Sequence, residues 1–347
     1  MRVLFLPDYT DGNPYQEKLA EGLQDTDIEI SMASGYPVET LRSLLDSRPN
    51  VIHLHWIAPF LVTENLVVSA VKSVIFLQAT LVAKLFGIDT VWTVHNLLDH
   101  ERRHPRLELL VRRIYARLSD RIIVHCPAAK GLVERRYRVQ SPEKIIVVPH
   151  GHYDSVYKDS ITQEEARTEL SLGADVTTFL YFGQIRTYKQ VPQLVDTFKE
   201  VSDPDLRLVV AGKPVDEAEA QRVSEKSHGD DRIDTELEFI PNDRLQVYFN
   251  AADAVVLPYR NSLTSGTAIL GMSFGTPIVG PRVGCLPGLL DHQDELLYGP
   301  DTGLQGDSLR RAASTDLASI GTENRRQVLE YEWDTIASQT QKVYEST

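Results

Sequence analysis

Short apolar runs, separated by stretches of helical period and length, recur from one end of the chain to the other. No other feature restricts the fold so tightly. A first series covers residues 3–6, 51–54, 90–94, 121–125 and 145–148. A second covers residues 178–182, 207–211, 237–239, 254–257 and 278–280. Runs this short, uniformly apolar and alternating with helical segments predict an α/β protein with parallel sheets covered by helices on both faces. Residues 149–164, between the two series, are polar and rich in His, Gly, Asp and Tyr without either period, which places a linker there. The 347 residues, 42% of them hydrophobic, suffice for two cores. The expected division is 1–152 and 153–332, each Rossmann-like.

The most chemically loaded connection lies in residues 251–281, AADAVVLPYRNSLTSGTAILGMSFGTPIVGP. An apolar strand runs into a loop of hydroxylated and glycine residues that opens a helix-like segment, so Ser265, Gly266 and Thr267 sit at a helix N-terminus. Backbone N–H groups without intrahelical acceptors converge there with the positive dipole end, and Gly266 allows an anion close to the backbone. A capped core helix without ligand is the alternative. After residues 178–182 come Gly183, Gln184, Ile185, Arg186, Thr187, Tyr188 and Lys189. Two cations beside a helix start are poorly placed unless an anion joins them, and a guanidinium fork with an ammonium suits phosphate oxygens.

On the other half, the strand at 90–94 ends in His95 and Asn96, followed by His100 and His104. Ligands of open α/β sheets bind beyond the carboxyl ends of strands, which raises His95 above an ordinary structural histidine. His53 and His55 share one strand face without a third ligand at suitable spacing, so no metal site is expected. The loop Asp11, Gly12, Asn13, Pro14 and Tyr15 leads into a helix at 16–23 and can face the same ligand.

A net charge of -13 and the absence of CxxC or RNA-binding signatures exclude a general nucleic-acid binder. Two cysteines far apart predict no disulfide framework and a reducing, cytoplasmic setting. Residues 3–6 are too few for a signal peptide before Pro7 and Asp8. Residues 66–87 are the most apolar segment, but Lys72, Gln78 and Lys84 interrupt it, which predicts a buried or surface-lying helix and not a membrane span. Residues 102–138 are locally basic, with Arg102, Arg103, Arg106, Arg112, Arg113, Arg117, Arg121, Arg135, Arg136 and Arg138. Leu107, Leu110, Val111, Ile114 and Leu118 form a helical stripe among them. Such a helix either contacts an anionic membrane peripherally or packs its stripe on its own core.

In order and spacing, these pieces resemble the GT-B glycosyltransferases of the family 4 (group 1) kind over nearly the whole chain. The likeness is carried by GNPY at 12–15, VIHLHW at 51–56, TVHN at 93–96, VVPHG at 147–151, FGQIRTYK at 182–189, VVAGKP at 209–214, and AADAVVLPY and SFGTPIV within 251–281. The resemblance implies two Rossmann-like domains with parallel sheets facing an interdomain cleft, and a last segment, 333–347, that packs back on the N-terminal domain. It implies a nucleotide-sugar donor bound by Gly183, Arg186, Lys189, Ser265, Gly266 and Thr267, and a glycan or lipid-linked acceptor bound by Asn13, Tyr15 and Asn96. His95 is implied beside the transferred sugar, with no metal and no cofactor other than the donor substrate. The implied activity is hexosyl transfer in surface polysaccharide or glycan assembly. A silent sugar-binding subunit and a nucleotide-sugar epimerase are the alternatives on this fold. The family usually bears two glutamates eight positions apart, where this chain has Ser262 and Leu270, leaving the ribose partner and the stereochemical course open.

Overall fold

The computed structural model describes residues 1–347 except Asp11, Asp25, residues 36–42 and Leu45. Two compact units emerge, Met1–Gly151 with Tyr331–Thr347, and His152–Glu330.

The first unit is built on β1 (Arg2–Leu6), β2 (Glu29–Met32), β3 (Val51–Leu54), β4 (Asp89–Thr93), β5 (Arg121–Val124) and β6 (Ile145–Val147). All pair in parallel, in the order β2-β1-β3-β4-β5-β6. The central strands are apolar on both faces because helices cover both. On one side Val3, Phe5, Val51, Val91 and Ile123 join Leu19 and Leu23 of the Pro14–Gln24 helix and Ile336, Val343 and Tyr344 of the Trp333–Glu345 helix. These two helices approach closely because Gly22 has no side chain: a Cβ there would lie 2.9 Å from Cβ of Ala337. Gly151 serves the same end, since a Cβ would fall 2.4 Å from Cε2 of Trp333. Three helices occupy another layer, Leu66–Leu85 packing on Pro105–Leu118, which in turn packs on Pro127–Tyr137.

The second unit is built on β7 (Thr177–Phe182), β8 (Leu206–Ala211), β9 (Ile233–Glu236), β10 (Ala254–Val256), β11 (Ile278–Pro281) and β12 (Leu297–Tyr298). They too are parallel, in the order β12-β11-β10-β7-β8-β9. Phe249 packs between Phe182, at 4.9 Å, and Phe274, at 5.0 Å, binding the Leu245–Ala251 helix to the sheet and to the end of the Gly266–Ser273 helix.

Three expectations need correction. The strand expected at 237–239 is instead β9, Ile233–Glu236, and Phe239 is exposed. β9 is an edge strand bonded on one side only, so its ladder is satisfied without an apolar run. Two further edge strands went unforeseen: β2 alternates polar and apolar residues, and β12 spans only two residues, too few to stand out as a run. Neither Cys126 nor Cys285 is a free thiol, contrary to the expected reduced state. A count of two cannot by itself fix oxidation state.

Candidate active site

In the first sheet the chain proceeds from β1 to β2 on one side and through β3 to β6 on the other, so the strand order reverses between β1 and β3. A crevice opens at the carboxyl ends of strands at such a point. Here the sequence places rings. Tyr15 is buried, with His95 edge-on at 4.9 Å, His150 at 4.8 Å and Trp333 at 5.5 Å, and Trp56 stacks on His95 at 4.4 Å. Tyr15 thus forms the floor beneath His95. Asn13 Oδ1 accepts from the Tyr15 N–H at 3.0 Å and starts the helix, while Asp11 lies outside the described residues.

Hydrogen bonds fix the histidine tautomers in sequence. Burial drives His125 down to about 4 and His95 well below its ordinary value, with His125 as the second cause for His95, so both rings are neutral near pH 7. The Val148 carbonyl lies 2.9 Å from His125 Nδ1 and can only accept, so that nitrogen carries the proton. His125 Nε2 is then a lone pair and accepts from His95 Nδ1 at 3.3 Å. This leaves His95 Nε2 a lone pair without a partner among the described residues. His53 and His150 are also neutral, each pushed down to about 3 by burial first and by His125 second, and burial holds His55 low as well. His53 is spent on structure, bridging Tyr344 and Thr93 at 2.7 Å each.

The segment after His95 is braced from below. Buried Arg112 donates to the Asn96 carbonyl at 3.0 Å and to Glu108, which also accepts from the Asp99 N–H at 2.7 Å, while the Tyr137 hydroxyl donates to the Leu97 carbonyl at 2.7 Å. Arg112 therefore belongs to the loop's support and not to a surface patch. Val111 of the expected stripe faces inward, while Leu110 is exposed.

In the second sheet the order reverses between β7 and β10. The two chemically loaded connections follow these two strands. Gly183 adopts a φ of 114°, a left-handed conformation that favours glycine, and Gly212, with a φ of 149°, lets the loop after β8 lie against it: a Cβ on Gly212 would meet the Gly183 carbonyl oxygen at 2.1 Å. The position a Cβ would take on Gly183 is 3.5 Å from Lys189 Nζ and 3.8 Å from Thr267 Oγ1. Gly183, Lys189 and Thr267 thus converge from two connections. The Lys189 ammonium lies 5.6 Å from the Tyr259 ring centroid and 6.0 Å from that of Tyr181. Desolvation, then the neighbouring Arg186 charge, lowers Lys189 to about 8. An anion placed there restores its charge. Ser265 caps the Gly266–Ser273 helix, accepting from the Ala268 N–H at 3.2 Å, and Gly266 at the helix start is exposed. Arg186 donates to Gln184 Oε1 at 2.9 Å. Leu270 is buried in the same helix, and the Ser262 hydroxyl donates to the Thr264 carbonyl.

Sequence reasoning missed Tyr181, Tyr259, His125 and His150. His125 ends a strand just as His95 does, and that signal could have found it. The tyrosines could not be found this way, because what selects them is proximity to Lys189 across two connections. Among the described residues no group of His, Cys, Asp and Glu is arranged to hold a metal.

Residues 176–310 match the family described as "Glycosyl transferases group 1", and residues 33–153 match "Glycosyltransferase Family 4". The "GDP-mannose:glycolipid 4-beta-D-mannosyltransferase" of Xanthomonas campestris pv. campestris is 30% identical over 78% of this chain and 70% of its own length. A "D-inositol 3-phosphate glycosyltransferase" of Streptomyces scabiei is 26% identical over 76% of this chain and 64% of its own. In fold, the chain is similar to sucrose-phosphate synthase from Thermosynechococcus elongatus, with a TM-score of 0.77, 19% identity and coverage of 99% and 98%. It is likewise similar to Anabaena HepE solved with UDP and glucose, with a TM-score of 0.72, 15% identity and full coverage of both chains.

Proposed function

The chain belongs to the group 1, family 4 glycosyltransferases, and on that premise we propose that it transfers mannose from GDP-mannose to a glycolipid acceptor, with inversion at the anomeric carbon. The convergence of Gly183, Lys189 and Thr267 at the order reversal of the second sheet carries the donor half of this reading. Lys189, Arg186 and the Gly266–Thr267 backbone receive the diphosphate. The name of the Xanthomonas relative supports the choice of sugar and acceptor.

The acceptor hydroxyl oxygen attacks the anomeric carbon as the bond from that carbon to the diphosphate oxygen breaks. The electron pair leaves with the nucleoside diphosphate, whose added charge Arg186 and Lys189 offset, so no metal is required. The hydroxyl proton passes to Nε2 of His95, the lone pair that the His125 hydrogen bond leaves available. Asn13 and Asn96 supply the acceptor side, over Tyr15 as platform. With Ser262 and Leu270 where the family usually bears glutamates, a neutral base in place of a carboxylate favours single displacement. Such an enzyme works on the cytoplasmic side of a membrane, in surface polysaccharide or glycan assembly.

The test is transfer by the purified protein from GDP-mannose to a defined glycolipid, with the product's anomeric configuration read by NMR. A β-linked mannoside, formed equally in EDTA, is expected. Turnover of UDP-glucose in place of GDP-mannose would replace the donor, an α-linked product would remove His95 as base, and metal-restored activity after EDTA would end the metal-free mechanism.

A further inference from the structure

The Leu66–Leu85 helix is inside out. Its protein-facing positions are Ser69, Ser73, Phe76, Thr80 and Ala83, whereas Val67, Val71, Val74, Ile75, Leu81, Val82 and Leu85 point to solvent, Val67 at 71% and Leu85 at 86% exposure, with Phe86 following at 80%. Ordinary surface helices show the reverse pattern. The two lysines do not soften that outer face: Lys72 donates to the Pro59 carbonyl and Lys84 pairs with Asp120 at 2.6 Å. The helix is long and apolar enough to cross a bilayer, yet it is the crossover from β3 to β4 and its inner face packs on the protein. It therefore lies along a surface instead of spanning one.

What covers it is indicated by charge. Residues 66–138 carry thirteen Lys and Arg against six Asp and Glu, in a chain whose net charge is -13. Arg102, Arg103, Arg106, Arg117, Arg135 and Arg136 are exposed on or beside the two helices that follow in the same layer. A second copy seated on this helix would bring two positive rims together. An anionic lipid surface would meet the apolar strip with its acyl boundary and the rim with its head groups.

We propose that the outer face of the Leu66–Leu85 helix seats in the interface of an anionic bilayer, with the arginines of the adjoining helices on its head groups. The proposal stands on this surface alone and draws on the glycolipid reading only for its purpose. Vesicle flotation of the full chain, without donor or acceptor, tests it. Phosphatidylcholine vesicles with about 30% phosphatidylglycerol are expected to bind the protein, and raising salt should weaken that binding. Val71→Asp, Ile75→Asp and Leu85→Asp together, all at exposed positions, should lower binding at least tenfold, and Arg135→Glu with Arg136→Glu should lower it on anionic vesicles only. Tryptophan emission and its urea midpoint should be unchanged in both variants, showing that the unit carrying the substitutions, which holds all three tryptophans, remains folded. Equal vesicle binding by the wild type and the triple variant would overturn the proposal, as would a vesicle-free dimer that the triple variant abolishes. Failure to transfer mannose would leave the vesicle result standing, and failure to bind vesicles would leave the transfer reaction standing.

Discussion

The two units place opposite chemistry at equivalent points of the same sheet design. At its order reversal, the Met1–Gly151 unit gathers neutral rings: His53, His55, His95, His125 and His150 around Tyr15, Trp56 and Trp333. The His152–Glu330 unit gathers Arg186, Lys189 and the hydroxyls of Ser265, Thr267 and Tyr259. The first can accept a proton or stack against a sugar but cannot hold an anion. The second can hold a diphosphate and has little to offer a hydroxyl proton. One architecture thus presents two chemistries, because the crevice comes from strand order and its chemistry from the few residues after each strand.

Acid should separate the units most sharply. His53, His125 and His150 titrate at about 3 to 4 in the fold, against roughly 6.5 in an unfolded chain, so below that value the unfolded state binds more protons and stability falls with pH. Each such histidine costs about 2 kcal/mol at pH 5. The loss continues until pH reaches the folded values. All three tryptophans, Trp56, Trp92 and Trp333, lie in the first unit, so their fluorescence should report its unfolding between pH 6 and 4 ahead of the loss of total helix signal. Simultaneous loss of both signals would erase the contrast.

Catalysis comes next. Arg186→Ala with Lys189→Ala should reduce kcat/KM by about 10³ or more, because charge on the departing diphosphate loses its partners. Wild-type donor affinity should also weaken above pH 8, as Lys189 loses its proton, with no change in that range for Lys189→Arg. Binding measured from pH 7 to 9.5 checks this, and a flat profile for the wild type would take Lys189 out of the donor site.

Two smaller effects probe the scaffolds. Gly151→Ala should destabilise the first unit by about 1 to 3 kcal/mol through overpacking on Trp333, visible in urea titrations by tryptophan fluorescence. Ser265→Ala should cost about 1 kcal/mol in the second unit through loss of the cap on the Gly266–Ser273 helix, read by circular dichroism. If Ser265→Ala raised KM for the donor without lowering stability, the hydroxyl would be a ligand contact more than a cap.

Legibility in the sequence followed the length and continuity of the apolar run. Strands such as β4 and β8 were readable as largely apolar or β-branched stretches, whereas β2 and β9, whose apolar residues are interrupted or replaced by polar ones, and the two-residue β12 were missed or misplaced. His95, Arg186 and Lys189 were readable from position after a strand. The lone pair on His95 was not, since it depends on His125 and the Val148 carbonyl, both distant in sequence. The apolar character of residues 66–87 was equally plain, but a composition does not say which face turns inward.

The amino-acid sequence by itself determined two parallel α/β units, the family, and which polar and charged side chains follow each strand. These follow from local period and from residues a few positions apart. Tertiary structure alone decided which nitrogen of His95 is available, that Lys189 sits against Tyr259 and Thr267 with its proton loosened by desolvation, and that the Leu66–Leu85 helix turns its aliphatic side outward. Each depends on groups brought together from separate elements, where burial and hydrogen-bond direction are set by neighbours that no local pattern specifies.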